Sequence, residues 1–294
     1  MNFPFVKYYK FHYFFVGVLI LAGLFFILKF GINLNIDFTG GSILEVSFEK
    51  RPENPAIQEK LKDLNLGEIF IQPSEENNVI IKLKSIDEPI HQQIISRLSE
   101  ISKIEEKRFE SIGPAIGKEL REKTVSLITF SLIALLIYIV VAFRKLKWPI
   151  AGWQYGLVSI IALTIDIFIP FAALAVLGKV SGVQLSIPIV AALLTILGYT
   201  INDKVIVFDR VRENLLQTRS DDFAESVNQS LNQIIGRSLG TGFCTLLVLF
   251  FIFFFGGETL RYFALTLIIG IIVGTYTSLF IASSLLVSWS RRKE

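Results

Sequence analysis

Two carboxylates stand inside long apolar runs. Asp166 lies between Ile165 and Ile167, and Asp203 lies in Gly198-Tyr-Thr-Ile-Asn-Asp-Lys-Val-Ile-Val-Phe-Asp-Arg. An ionised carboxylate in hydrocarbon costs roughly 2.5–3.5 kcal/mol on insertion scales. Burial favours the neutral acid and a facing cation favours the ion, so such a group can be set to take up and release a proton. The competing reading for Asp203 is a buried polar tie between helices, with its neighbour Asn202 in the same role. Arg237 opens the following apolar run at about the depth of Asp203, which makes it the expected partner in trans. By itself an arginine there would be a snorkelling topology anchor. Lys204 adjoins Asp203, but neighbouring helix positions do not face each other, so it is expected to point elsewhere or to snorkel. Asp166 is either a second protonatable group or a helix–helix hydrogen-bond partner.

Other chemistry is poorly provided for. The sequence has no Walker loop, hence no expected ATP site. Its two histidines, His12 and His91, are too far apart to suggest a metal set. We therefore expect no cofactor and no enzymatic activity. An ion gradient is the expected energy source, worth about 2.3 kcal/mol per charge per 100 mV. The net charge of +3 excludes a typical nucleic-acid binder. One cysteine, Cys244, cannot form an internal disulfide, and it reads as a small buried apolar residue.

The elements that must position these residues are membrane helices. The 294 residues are 52% hydrophobic with a mean hydropathy of +0.57. The apolar residues fall in six blocks at about 11–30, 125–143, 150–177, 186–208, 238–255 and 261–289. Each is long enough to cross a bilayer, and backbone in lipid must be helical to satisfy its own hydrogen bonds. The first block follows Lys7 and Lys10 without a small-x-small cleavage site, the pattern of an uncleaved signal anchor. Lys and Arg concentrate in alternate loops: Arg144-Lys-Leu-Lys147, the stretch 209–237 with Arg210, Arg212, Arg219 and Arg237, and the tail Arg291-Arg-Lys293. The charge rule then places both termini and 209–237 in the cytoplasm. In 209–237, Asp221-Asp222 opens a helix whose Phe223, Val227, Leu231 and Ile234/Ile235 form one stripe, suited to lying on the membrane face or a neighbouring loop. Gly236/Gly240 and Gly270/Gly274 have the spacing of close helix contacts, and Thr275, Thr277 and Ser278 add polarity to the last helix.

The 31–123 insert reads as a domain outside the cytoplasm. Strands are expected over 42–49, 68–72, 79–84 and 105–111, with a turn over 73–78. Helices are expected over 54–64 and from 87/88 to 102, each with a proline in its first turn. The order β-α-β-β-α-β is the ferredoxin-like split βαβ. The expected architecture is thus a polytopic α-helical membrane protein of six transmembrane helices with an inserted α+β ferredoxin-like domain. Its parts are 1–30, 31–123 and a five-helix part over 124–294.

Four segments carry a family resemblance: Ile36-Asp-Phe-Thr-Gly-Gly41; Ile112-Gly-Pro-Ala-Ile-Gly-Lys-Glu-Leu120; Gly198–Asp203 continuing into Val207-Phe-Asp-Arg-Val-Arg-Glu-Asn214; and Phe255-Gly-Gly-Glu258 with Gly270–Thr275. With these the chain resembles SecF, in the SecD/SecF family of bacterial protein-export membrane proteins within the resistance-nodulation-division superfamily. The resemblance implies an accessory subunit in the inner membrane. Such a subunit works with SecD beside the SecYEG channel and uses proton flow to help move unfolded exported polypeptides. It implies a proton path through Asp203 and Arg237, and motif roles for Asp37, Gly40, Gly41, Gly198, Asp209 and Arg210. Three residues depart from the family pattern. Lys204 stands where a neutral residue is usual, Ile165 replaces a histidine, and Asn35 replaces a glycine. The alternatives are half of a small-molecule or lipid exporter, or a non-conducting scaffold; a scaffold has no need of an ionisable Asp203.

Overall fold

The computed structural model describes residues 3–67, 69–73, 77–144, 150–218 and 222–291. The chain divides into two compact units, 1–33 with 126–294, and 34–125.

The smaller unit is built on a four-stranded antiparallel sheet. Its elements are a short helix α2 (Ile36–Thr39), β1 (Gly41–Phe48), α3 (Asn54–Leu61), β2 (Phe70–Pro73), β3 (Asn78–Leu83), α4 (Glu88–Ser99) and β4 (Ile104–Ile112). A helix α1 (Tyr9–Phe30) precedes them. The strand order is β2-β3-β1-β4, the split-βαβ arrangement. Register follows the apolar alternation: Leu44 lies opposite Ile81 and Val46 opposite Val79, and all four are fully buried. They pack with Phe48, Leu83, and Ile57, Leu61, Ile94 and Leu98 of the two helices. The expected strand start at Glu68 and residues 74–76 of the 73–78 turn lie outside the described residues, while Pro73 ends β2.

The two glycine-bearing motifs meet in this unit. Gly40 and Gly41 have φ of 74° and 136°, values suited to glycine. A Cβ on Gly40 would stand 2.7 Å from the Pro114 Cα, and one on Gly117 would stand 2.7 Å from the Gly40 nitrogen. The Ile36–Gly41 segment thus folds backbone-to-backbone against the start of α5 (Pro114–Ala142). Asp37 is buried, and its carboxylate accepts a hydrogen bond from Asn35 Nδ2 at 3.2 Å.

The larger unit holds long apolar helices. Six described stretches are long and apolar enough to cross a membrane: Phe5–Phe30, Pro114–Ala142, Gly152–Ser181, Ile187–Gln217, Phe223–Phe255 and Thr259–Ser290. The last four lie in α6 (Gly152–Ser181), α7 (Ile187–Thr218), α8 (Phe223–Phe255), and α9 (Glu258–Tyr276) running on through a π-helical turn (Thr277–Ala282) into α10 (Ser283–Ser290). Helices α7 and α8 outrun their apolar blocks, so the stretch 209–237 is helical to Thr218 and again from Phe223, and the second helix packs on α7 rather than lying on the membrane face. Asp222 caps α8, accepting from the Ala224 and Glu225 amides at 2.8 and 3.3 Å. The stripe Phe223, Val227, Leu231 and Ile234 is buried against Val207, Phe208 and Val211 of α7. Polar side chains close the same seam: Asn214 Nδ2 donates to Ser230 Oγ at 2.7 Å and to Gln233 Oε1 at 2.9 Å. Of the basic loop residues, Arg219, residues 145–147 and 292–293 lie outside the described residues.

The two glycine pairs differ. A Cβ on Gly270 would stand 2.1 Å from Ile196 Cδ1, and one on Gly274 would stand 2.8 Å from Thr200 Cβ, so α9 sits directly on α7. Gly236 and Gly240 of α8 have nothing within 4 Å of a built Cβ; they do not make the close contact their spacing suggested. Cys244 is exposed on α8 and not buried. It lies on the helix face that also carries the exposed Gly240, Phe251 and Phe255, spaced for the outer side.

Two predictions follow from this packing and from the outer unit. Gly274→Ala should cost about 1–3 kcal/mol by overpacking against Thr200, whereas Gly240→Ala should gain up to about 1 kcal/mol from helix propensity. Unfolding midpoints of the two variants in the same detergent decide this. On α4, hydrogen bonds from Gln92 (2.6 Å) and His91 (3.1 Å) hold the Glu88 carboxyl below its ordinary range. A depressed carboxylate adds stability above its unfolded value, and that stability is lost as pH falls through the folded value. Protection of the α4 amides, measured against the intrinsic exchange rate at each pH, should therefore fall below about pH 4, near and under the free glutamate value, and Glu88→Gln should flatten that fall.

Candidate functional site

The inner face of α6 carries Ser159, Ala162, Leu163, Asp166 and Pro170, all buried and at helical spacing. On α7, Lys204 continues the buried line of Leu197, Thr200 and Ile201 and precedes Val207 and Phe208. Both charged side chains are therefore carried inward by their helices, and both are fully buried. They meet: Lys204 Nζ donates to Asp166 Oδ2 at 2.5 Å, to Ser278 Oγ at 3.1 Å and to Thr277 Oγ1 at 3.5 Å. Thr277 Oγ1 in turn donates to Asp166 Oδ1. Ser278 Oγ donates to the Gly274 carbonyl at 2.6 Å. The ammonium has three donors and finds three acceptors, and each carboxylate oxygen finds a donor. This buried ion pair is fully satisfied, the condition under which one is tolerated.

Lys204 thus points away from Asp203, as its adjacency requires, but it does not snorkel: it turns inward to Asp166. Adjacency on one helix excludes a Lys204–Asp203 pair and leaves the lysine free to find a partner on α6. The signal that finds it is burial spacing at i−7, i−4, i−3, i+3 and i+4. The π turn matters too. Thr277 and Ser278 are its first two residues, so the change of helical pitch falls where the pair is held.

Asp203 faces a different neighbour. It is 4% exposed, and Thr275 Oγ1 of α9 donates to its Oδ2 at 3.5 Å. Thr275 also adjoins Gly242 of α8, at 3.5 Å from a built Cβ. Arg237 is exposed and shares a groove with Ile206, Asp209, Arg210, Glu213, Gln233 and Ile234. Its neighbours Ile206–Glu213 lie three to ten positions beyond Asp203, roughly 4.5–15 Å further along α7 at 1.5 Å per residue. The expected Asp203–Arg237 ion pair is not formed, because Arg237 faces this groove and not the carboxylate. Arg210 instead engages Glu213 and Gln233, each at 2.6 Å, and Arg212 reaches Asp209 at 3.5 Å. Asn202 is exposed on the opposite face of α7, on a stripe with Ala191, Thr195 and Gly198.

One buried group at this end of the bundle was passed over in the sequence. His12 of α1 lies with Nδ1 2.7 Å from the Tyr276 hydroxyl and stacks on Phe280 at 4.5 Å. A histidine on an apolar span facing another helix was its only signal. Among the described residues, the buried hydroxyls of Tyr155, Tyr199, Thr200 and Ser238 have no hydrogen-bond partner.

A family model described as the C-terminal part of the protein export membrane proteins SecD/SecF matches residues 93–292. One for the SecD/SecF GG motif matches residues 25–50. The protein translocase subunit SecF of Thermobaculum terrenum is 36% identical over 290 residues, covering 94% of this chain and 90% of its own. That of Sebaldella termitidis is 35% identical, covering 100% and 94%. SecDF of Thermus thermophilus is 35% identical over 90% of this chain but only 35% of its own length. The crystal structure of SecDF, a translocon-associated membrane protein from that organism, superposes with a TM-score of 0.86 at 33% identity, over 99% of this chain and 39% of that one. This chain spans about two fifths of that longer protein, and its six apolar helices and antiparallel four-stranded unit match it. The chain belongs to the SecF branch of the SecD/SecF family of protein-export membrane proteins.

Proposed function

We propose that this subunit couples the proton-motive force to polypeptide export, acting with SecD at the SecYEG channel and carrying the proton on Asp203. It acts in the bacterial inner membrane with both termini cytoplasmic, and the 31–123 region stands outside, where an unfolded exported chain emerges.

The observation that carries this reading is a count of buried charge. Asp166 and Lys204 neutralise each other. Asp203 is then left in the same bundle with a threonine hydroxyl and no cation within 4.0 Å among the described residues. An isolated carboxylate ion is far costlier to bury than a paired one. A proton relieves that cost, and giving the proton up restores it. Thr275, which holds Asp203, belongs to the helix that carries the Lys204–Asp166 hydroxyls two and three residues later. Loading and unloading Asp203 would thus bear on the α7–α9 contact that the glycines bring close.

A SecD partner is supported by the SecDF relatives, in which a matching segment occupies a third of one longer chain. The outer face of α7 supports it as well. Thr195, Gly198 and Asn202 are exposed there, small or polar where lipid contact calls for larger apolar side chains, and such a stripe suits another helix. In this reading Arg237, Asp209 and Arg210 belong to the cytoplasmic mouth and not to the proton-binding atom itself.

The test compares Asp203→Asn with the unaltered protein in energised vesicles that contain SecD. Translocation of an unfolded precursor is followed with and without a proton gradient. Asparagine copies the shape of the protonated acid, so unfolding midpoints should match. The gradient-dependent part of translocation should vanish and the ATP-driven part should remain. Undiminished gradient dependence would move the coupling site away from Asp203.

A further inference from the structure

We propose that Lys204 is a tethered cation, whose ammonium fills an oxygen-lined site in the membrane core that a free Na⁺ would otherwise occupy. The donor set around its nitrogen is made of oxygen alone: Asp166 Oδ2, Ser278 Oγ and Thr277 Oγ1 at 2.5, 3.1 and 3.5 Å. The hydroxyls are turned to present lone pairs. Ser278 spends its proton on the Gly274 carbonyl and Thr277 spends its proton on Asp166 Oδ1. Carboxylate, hydroxyl and carbonyl oxygens are the ligands of hard cations. Discontinuous membrane helices gather them where the helical pitch changes, and here the hydroxyls stand on the π turn. Charge decides the valence. The shell carries one carboxylate, so one monovalent cation makes it neutral, whereas a divalent ion would leave a buried positive charge.

The site is closed, with Lys204 and Asp166 both at zero exposure. An ammonium fixed to α7 cannot leave it, so in this protein the cluster is permanently neutral and indifferent to the Na⁺ concentration. Lys204 is then a positioning and specificity-determining residue: it removes Na⁺ from competition at the helix junction beside Asp203. The proposal concerns Asp166 and its oxygens and does not depend on what Asp203 binds.

The test uses the full-length protein in detergent, with unfolding midpoints recorded in NaCl and in choline chloride at equal ionic strength and pH. The unaltered protein should unfold at the same midpoint in both salts. Lys204→Ala should be destabilised in choline and recover saturably with Na⁺. Its folded-to-unfolded ratio should rise roughly tenfold once Na⁺ reaches ten times its Kd. Adding Asp166→Asn to Lys204→Ala should abolish that response. Saturable Na⁺ stabilisation of the unaltered protein would overturn the proposal. So would equal midpoints for Lys204→Ala in the two salts, since a proton on Asp166 would then have replaced the ammonium. A Na⁺ response that survives in the double variant would place the ion elsewhere and have the same consequence. Lys204→Ser leaves the space with one hydroxyl added and guards against a variant that simply fails to fold. If neither it nor Lys204→Ala yields folded protein in either salt, the oxygens do not accept a free cation and the proposal falls.

Discussion

A lysine and an aspartate inside a bundle of apolar helices must meet, and the helices must pack so that they can. In this chain the requirement joins three helices. Asp166 comes from α6, Lys204 from α7, and the hydroxyls of Thr277 and Ser278 from the π turn after α9. Removing one partner of such a pair strands the other, at a cost of about 3–5 kcal/mol. The glycines of α9 follow from the same constraint. Gly274 lies against Thr200, one turn before Lys204, and its missing Cβ lets α9 come near enough for hydroxyls on its next turn to reach the ammonium. A larger residue there would hold the helices apart and open the network.

The polar groups divide by depth. Inside the bundle Asp166, Lys204, Thr277 and Ser278 close on one another in a neutral set, with Asp203 beside it. Beyond the bundle, where α7 and α8 run past their apolar blocks, the polar groups form a seam in which Arg210, Glu213 and Gln233 meet toward the surface and Asn214 and Ser230 meet in the interior, beside the buried Phe208, Val211 and Leu231. Arg237 belongs to this second region. Its long side chain reaches water at the groove, which costs nothing in desolvation, whereas turning inward to Asp203 would bury a guanidinium. The outer unit is governed by a different economy, that of backbone space, in which glycines at 40, 41 and 117 let a turn and a helix start touch.

Six helices and the split-βαβ unit were legible because long apolar blocks and alternating strands are patterns of many residues. The buried stripe of 223–234 was legible for the same reason. Its partner was not, because nothing in the stripe says that α7 continues as a helix far enough to receive it. Within the site, Asp166 and Asp203 stood out from their apolar surroundings. The pairing did not, because a charged residue's nearest neighbours in sequence point away from it, and the partner thirty-eight positions distant is found only by assembling helix faces. Arg237 was misjudged by depth alone: equal distance from the membrane surface does not place two side chains on facing sides. Gly236 and Gly240 show the same weakness, since a small-residue spacing marks where a contact is possible without supplying one.

The two buried carboxylates differ in how their charge is met. At Asp166 the compensating cation is covalently part of α7, so the charge balance cannot change while the helices stay packed. Among the described residues the hydrogen bond to Asp203 comes from a hydroxyl of the neighbouring helix, which can stabilise either protonation state but cannot replace a cation. In the proposed function a variable charge stands beside a fixed one, on adjacent residues of one helix, which would confine change to a single side chain. It also places that change against α9, which carries both Thr275 and the hydroxyls of the fixed pair. Under the proposed coupling, motion driven from Asp203 would be resisted at its neighbour by a network with all its bonds made, and the pair would serve as the anchor against which the variable site works.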